Sequence, residues 1–202
     1  MISGYYAIVE TPEQAPPLLA YTRIVQLRNK HASTQELLSA ARKLRELTRK
    51  RGVAFCVNDR VDIALLAEAD AVHLGQDDLP LAAARALAGN QLIVGISTHS
   101  VAQAQAALEG GADYLGFGPI FVTASKDNPD PVQGLQALAE IVRLANRIPV
   151  VAIGGITPHN AAAVARAGAA AGAAIASVLL AADSVTASKQ IANAGWDSSR
   201  RL

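Results

Sequence analysis

The sequence predicts an α/β fold, a single-domain (β/α)8 TIM barrel, from three observations. Short runs rich in Val, Ile and Leu alternate eight times with longer stretches of Ala, Leu, Glu, Gln, Lys and Arg. Seven of the eight runs end in polar or glycine clusters, whereas an open doubly wound sheet gathers ligands at one switch point only. The chain has 202 residues, close to the lower limit of about 200 for such barrels, so no length is left for a second domain.

The elements follow in order. YYAIVE (5–10) and RIVQLR (23–28) read as the first two strands, with a helix over 11–20 between them and another over 33–50. AFCVND (54–59) and AVHLG (71–75) follow, with helices over 61–68 and 80–88. LIVGIS (92–97) and YLGFGPI (114–120) lead into helices over 100–110 and 134–146. PVVAIGG (149–155) and AAIASVL (173–179) complete the strands, with helices over 158–167 and 184–193. Continuous apolar runs of this length suit strands covered on both faces. The intervening stretches combine helix-forming residues with amphipathic spacing. Pro80 and Pro158 stand at helix starts, with Thr157 as an N-cap, and Gly52, Gly111 and Gly168 stand at helix ends. Residues 194–202, ending in DSSRRL, read as a solvated tail.

Composition narrows the function. Lys and Arg total 18 against 17 Asp and Glu, a net charge of +1, so no basic field exists for nucleic acid or a membrane surface. Cys56 is the single cysteine; it sits in the apolar run VAFCV and reads as inert core, with no internal disulfide and no cysteine metal site. MISGYYAIVE lacks the features of a signal peptide, and no apolar run spans a bilayer, which points to the cytoplasm. Neither GxGxxG nor GxxxxGK(S/T) occurs. Oligomeric state is left open, a homo-oligomer included.

The strand-end clusters carry the candidate chemistry. Arg28 and Lys30 follow the second strand and Lys126 the sixth; Arg offers a planar fork for phosphate oxygens and Lys a point charge. A lone loop lysine is ordinarily a surface charge, but Arg28 ends an apolar strand and so stands on the barrel rim. Asp59 ends the third strand, and Asp77 and Asp78 follow the fourth. Neighbouring strands lie about 5 Å apart, so two such carboxylates can share a Mg2+ that also takes phosphate oxygens and water. Capping of the following helices is the equally open alternative for both.

Gly154 and Gly155 end the seventh strand before a helix, and the eighth strand carries Ala176 and Ser177. Backbone N–H groups there can cradle a phosphate. Asn58, Gln76, Ser97, Thr123 and Ser125 offer hydroxyl and amide groups, although each alone suits a turn. His73, inside the fourth strand, reads as a packed core histidine and His99 as a neighbour of a helix cap; neither is assigned as a general base. One mouth thus combines a cationic, metal-binding half with a neutral amide cradle. That combination suggests joining two phosphorylated fragments with loss of pyrophosphate.

With those residues in hand, the chain resembles the thiamine-phosphate synthase and thiazole tautomerase family. The resemblance rests on QLRNK, VNDR, ADAVHLGQDD, GISTH, GADYLGFGPIFVTASK, VVAIGGIT and GAAIAS, taken in order. It implies condensation of a hydroxymethylpyrimidine diphosphate with a thiazole phosphate, giving thiamine phosphate and pyrophosphate through a pyrimidine-stabilised cation. By the same resemblance Gln26 binds substrate, and Arg28, Lys30 and Asn58 hold the diphosphate with Ser97 and Lys126. Of these, Arg28, Lys30, Ser97 and Lys126 act in catalysis. Asp59 and Asp78 bind Mg2+, Asp78 rather than Asp77 because the family pattern reads GQ, an acid, then Asp. Thr123 and Ser125 hold the thiazole phosphate with the backbone of Gly155, Ala176 and Ser177.

Three departures mark the chain. The usual Pro-Thr-x-Thr-Lys loop reads VTASK, with Val122 for proline and Ser125 for threonine. The approach to the eighth strand, ARAGAAAG, lacks the Asp that usually follows Gly-Ala. The first unit lacks the common Thr-Asp pair after its strand. Two other functions compete with the synthase: a metal-independent thiazole tautomerase, which has no use for a diphosphate clamp, and a non-catalytic phosphate-ligand binding protein.

Overall fold

The computed structural model describes residues 2–123 and 131–196. Ser125 and Lys126 therefore lie outside the described residues. Eight parallel strands close into one barrel in sequence order, β1 (Gly4–Val9), β2 (Thr22–Leu27), β3 (Ala54–Asn58), β4 (Ala71–Leu74), β5 (Ile93–Thr98), β6 (Tyr114–Phe117), β7 (Val150–Ile153) and β8 (Ala171–Ala174). Closure comes from β8 pairing with β1, Tyr5 against Gly172 and Ala7 against Ala174. The helices are α1 (Thr34–Arg51), α2 (Val61–Leu66), α3 (Leu81–Ala88), α4 (Val101–Glu109), α5 (Gly134–Ala145), α6 (Ala161–Arg166), α7 (Ala176–Leu179) and α8 (Ser184–Ala192). Among the described residues no helix is long and apolar enough to cross a membrane.

Strand alternation divides the interior into two cores. Val25, Leu27, Phe55, Val57, Val72, Leu74, Val94, Leu115 and Val150 pack outward with the helices. Tyr6, Ile8, Ile24, Ala54, Cys56, Ala71, Tyr114, Val151 and Ala173 fill the barrel itself. Buried Cys56 belongs to that inner set, and burial pushes its thiol up to about 11, as suits inert packing. Alternation also carries the inward side on to Gln26, Asn58, His73 and Ser97, near the C-terminal strand ends.

The helices obey local rules. In α1, Leu37, Ala41, Leu44 and Thr48 bury one stripe, and Ser33 and Glu36 close a capping box. Gly52 ends the helix at φ 65°, a left-handed position that glycine occupies without strain.

Four expectations need correction. The predicted helix over 11–20 is a single 3-10 turn, Pro12–Gln14, followed by further turns. Pro12, Pro16 and Pro17 remove N–H donors that a helix would need. The predicted strand over 173–179 is β8 followed at once by α7, so Ala176 and Ser177 lie in the first turn of a helix and not in a strand. Ile175 and Val178, which suggest an extended run, instead share a helical i, i+3 spacing. Finally, α6 starts at Ala161 after Asn160, so Thr157 is not its cap; Asn160 Oδ1 accepts from Thr157 N at 2.8 Å. Part of the predicted tail is also packed, since Trp196 lies against Gly172 and donates to the Ile191 carbonyl at 2.7 Å.

Two arginine–aspartate clasps hold the N-terminal strand ends. Arg45 of α1 grips Asp70 with both guanidinium nitrogens, at 2.7 and 3.1 Å, and Asp70 Oδ2 accepts from Phe55 N at 2.7 Å. Arg85 of α3 pairs with Asp113, whose Oδ2 accepts from Val94 N at 2.7 Å. A cavity of about 630 Å³ opens between these clasps. Its arginines are committed to strand starts, and it lies at the opposite barrel end from the strand-end clusters. Asp70→Ala leaves Phe55 N and a largely buried guanidinium unpaired. Urea unfolding should show a loss of about 2 kcal/mol.

Candidate active site

The C-terminal strand ends carry most of the residues singled out from sequence. Arg28 continues the β2 ladder, its N–H donating to the Val9 carbonyl at 2.8 Å. Lys30 stands next to it on the exposed rim, with Nζ 4.0 Å from Asp59 Oδ2. Asp59 continues β3, donating its N–H to the His73 carbonyl at 2.8 Å. Its φ of 63° is left-handed, a conformation that Asp and Asn tolerate better than most residues.

Neither carboxylate caps a helix. The residue at the cap of α2 is Arg60 and at that of α3 Pro80, and neither helix has a side-chain cap bond. Asp78 instead accepts from Gly75 N at 2.6 Å, which folds the 75–78 turn back toward the barrel mouth. There it meets Asp59. Burial, and after it the neighbouring Asp78 carboxylate, pushes Asp59 up to about 6 from an ordinary 3.8, against the pull of Lys30 and Arg28. Two converging carboxylates that repel each other form a donor set suited to a divalent cation. Among the described residues no group of three or more His, Cys, Asp or Glu side chains could hold a metal. A pair of oxygen donors suits Mg2+, which keeps several waters and takes further oxygens from phosphate, better than a closed zinc or calcium cage.

Ser97 lies further inside, where its hydroxyl is 2.9 Å from His73 Nε2. Its carbonyl accepts from Gln76 Nε2 at 2.5 Å, so Gln76 ties the loop after β4 to β5. His73 is part-buried, and its other nitrogen is 2.9 Å from Tyr114 Oη. Burial holds it down to about 4, so it is a neutral imidazole at ordinary pH. The sequence reading of His73 as core is thus half of its environment: one edge faces the inner core, the other meets Ser97. Gln26 is buried and donates to Tyr6 Oη at 3.0 Å. His99 behaves as expected of a cap neighbour, its N–H donating to Gln103 Oε1 at 2.7 Å.

The opposite side of the mouth is built from backbone. Ile120 N donates to the Ile153 carbonyl at 2.9 Å and Phe121 N to the Gly154 carbonyl at 3.0 Å, so the loops after β6 and β7 run together. A Cβ on Gly155 would lie 2.6 Å from the Val122 carbonyl oxygen, and the residue sits at φ 66°, so this close approach requires glycine. Asn160 Nδ2 donates to the Gly155 carbonyl at 2.8 Å, and Ser177 Oγ to the Ile156 carbonyl at 2.6 Å. The Ser177 hydroxyl therefore ties α7 to the β7 loop. Its backbone N–H and that of Ala176 belong to the first turn of α7 and have no acceptor within the helix. Thr123 stands at the edge of this group, the last described residue before 124–130.

Tyr6, Tyr114 and His73 were missed as partners of the site. Their signal was present: in alternation they share the inward side with Gln26, Asn58 and Ser97.

The family described as thiamine monophosphate synthase matches residues 7–178. A thiamine-phosphate synthase of Chloroflexus aurantiacus is 52% identical over 167 residues, covering 81% of this chain and 74% of its own. That of Anaeromyxobacter dehalogenans is 51% identical over 186 residues, covering 90% and 83%. Among solved structures, thiamine phosphate pyrophosphorylase from Pyrococcus furiosus superposes with a TM-score of 0.87 at 37% identity, covering 96% of this chain and 95% of its own. A family match over residues 7–178, most of the barrel, shows that the chain belongs to the thiamine monophosphate synthase family.

Proposed function

We propose that this chain is a Mg2+-dependent transferase that makes thiamine phosphate. It joins 4-amino-2-methyl-5-hydroxymethylpyrimidine diphosphate to 4-methyl-5-(2-phosphoethyl)thiazole and releases pyrophosphate. The observation that carries the reading is the convergence of Asp59 and Asp78 beside Lys30 and Arg28, across the same mouth from an uncharged cradle. A thiazole isomerisation releases no diphosphate and so would leave that anionic pair and its cations without a diphosphate to hold.

In this reading the bond between the pyrimidine methylene and the diphosphate oxygen breaks, and the oxygen leaves with the electron pair. The thiazole nitrogen then forms the new bond to the methylene. Arg28, Lys30 and Asn58 hold the diphosphate, and Ser97 donates a hydrogen bond to it. Lys126, by its place in the VTASK loop, adds a further positive charge. Asp59 and Asp78 would hold the Mg2+, which when bound neutralises charge that develops on pyrophosphate. Thr123, Ser125 and the N–H groups of Gly155, Ala176 and Ser177 hold the thiazole phosphate and orient its ring nitrogen. Gln26 binds the pyrimidine side. The buried, unpaired Cys56 suits the reduced cytoplasm.

The direct test mixes both substrates with the protein, with and without Mg2+, and follows thiamine phosphate by fluorescence after oxidation. Product is expected only with the divalent ion, and its absence under every metal condition sinks the proposal. Asp59→Asn and Asp78→Asn should each lower kcat by at least about 100-fold in this assay. Asparagine is chosen because it accepts the left-handed backbone at position 59.

A pH dependence follows from Asp59. Its folded value lies above its ordinary one, so the folded state prefers the protonated form. The stability this contributes to metal-free protein is full below pH 3.8 and is lost as pH rises through about 6. Mg2+ needs the ionised form, so its affinity should rise through the same window. Calorimetric Mg2+ titrations across that range check the second trend. In metal-free melts near neutral pH, Asp59→Asn should raise Tm by about 2 °C.

A further inference from the structure

A continuous line of polar side chains crosses the barrel interior beneath the site. Gln26 Nε2 donates to Tyr6 Oη at 3.0 Å, and Tyr6 Oη lies 3.1 Å from Tyr114 Oη. Tyr114 Oη is 2.9 Å from His73 Nδ1, and His73 Nε2 is 2.9 Å from Ser97 Oγ. Gln26, Tyr6 and Tyr114 are buried. Burial holds both tyrosine hydroxyls well above their usual range, so each keeps its one proton.

Counting those protons assigns the line a direction. The Val57 carbonyl, 3.6 Å from Cys56 Sγ, can only accept; with the thiol proton directed there, the sulfur acts as an acceptor toward its other neighbours. It faces the Gln26 amide at 4.0 Å, which favours the donor nitrogen of Gln26 on this side. Tyr6 therefore accepts from Gln26 and has its own proton for Tyr114. Tyr114 accepts that bond and gives its proton to the better available acceptor, His73 Nδ1 at 2.9 Å rather than Cys56 sulfur at 3.8 Å. With Nδ1 accepting, the histidine proton sits on Nε2 and points to Ser97 Oγ. Ser97 accepts there, which leaves its own proton for the pocket.

The backbone makes room for this arrangement. A Cβ on Gly95 would lie 2.0 Å from Tyr114 Cζ, and one on Gly116 would lie 2.9 Å from His73 Cε1. Two strands thus carry glycine where the rings of Tyr114 and His73 lie across them. The tyrosine rings of the line pack with centroids 6.3 Å apart, and His73 lies 5.4 Å from Tyr114.

We propose that His73 and Tyr114 are positioning residues, and that the line from Gln26 through Tyr6 sets the Ser97 hydroxyl as a one-way donor toward the leaving diphosphate. The assignment of Ser97 to the diphosphate rests on the function proposed above.

Two measurements test this. Long-range 1H–15N correlation spectra of the metal-free wild-type protein read the His73 tautomer directly and need no activity. The Nε2–H form is expected; an Nδ1–H form means the line runs the other way and overturns the proposal. Tyr114→Phe keeps the ring and removes the hydroxyl. It should lower kcat by about tenfold, with KM for the pyrimidine diphosphate changed by less than about threefold. In a Ser97→Ala background the same change should have almost no further effect, because its influence passes through Ser97. An equal loss in both backgrounds would show a merely structural role and overturn the proposal. Tyr6→Phe, one link further back, should give a smaller loss in the same pattern and serves if Tyr114→Phe does not fold. If the wild-type protein makes no thiamine phosphate, the proposed reaction fails, while the tautomer still decides the direction of the line.

Discussion

The strict in/out alternation of parallel strands, locked by closure of β8 onto β1, is the constraint on which this molecule depends. A closed ladder permits no register slip, because moving one strand by one residue would exchange its two faces. Once the register is set, Asn58 stands beside His73, His73 beside Gly95, and Ser97 beside Gly116. The contact between His73 and Ser97 then needs only that Gly116 lack a side chain. Packing of the outer core and placement of the inner polar residues are therefore one decision. Val57, Leu74 and Ile96 fix the strands from outside, and the side chains between them in sequence are delivered inside.

The two sides of the mouth solve opposite electrostatic problems. On the β2–β4 side the protein concentrates charge of both signs at part-buried positions, where it is costly without an occupant; the raised Asp59 is the visible sign of that cost. On the β7–β8 side it uses peptide N–H groups and glycines, which bring donors close without net charge. The first arrangement suits a ligand that arrives with its own cation. The second suits a ligand whose charge has only to be held in place.

Much of this was legible in the sequence. Eight apolar runs, each ending in polar residues, were enough to anticipate the barrel and most of the rim, because strand length and alternation are local properties. The failures are also local in origin. The stretch 11–20 has helix-forming residues, but its three prolines deny it the hydrogen bonds of a helix. The stretch 173–179 places Ile175 and Val178 in a pattern that short strands and short helices share, and only tertiary contacts choose between them. Spacing left capping open for Asp59 and Asp78, because what removes them from the helix caps is the left-handed φ of Asp59 and the folded-back 75–78 turn. A histidine in an apolar strand looks like core until Tyr114 and Ser97, 41 and 24 residues away, are brought to its two nitrogens.

The clasps at the base of the barrel show a modular construction. Asp70 N donates to the Phe55 carbonyl, Asp113 N to that of Val94, and Ala170 N to that of Val150, at 2.8, 2.9 and 2.9 Å. These three residues introduce β4, β6 and β8, so the same backbone joint recurs at three of the four even-numbered strands. In the first two copies an aspartate also takes the N–H of the preceding strand and an arginine from a helix; in the third an alanine stands there, fully buried. The joint survives without its clasp. The pairs β3–β4, β5–β6 and β7–β8 thus share a joint in which the peptide bond sets the architecture and the ion pair, where present, reinforces it; before β2, Tyr21 N donates to the Leu18 carbonyl instead. One copy can drift to a small apolar residue while the ring remains closed.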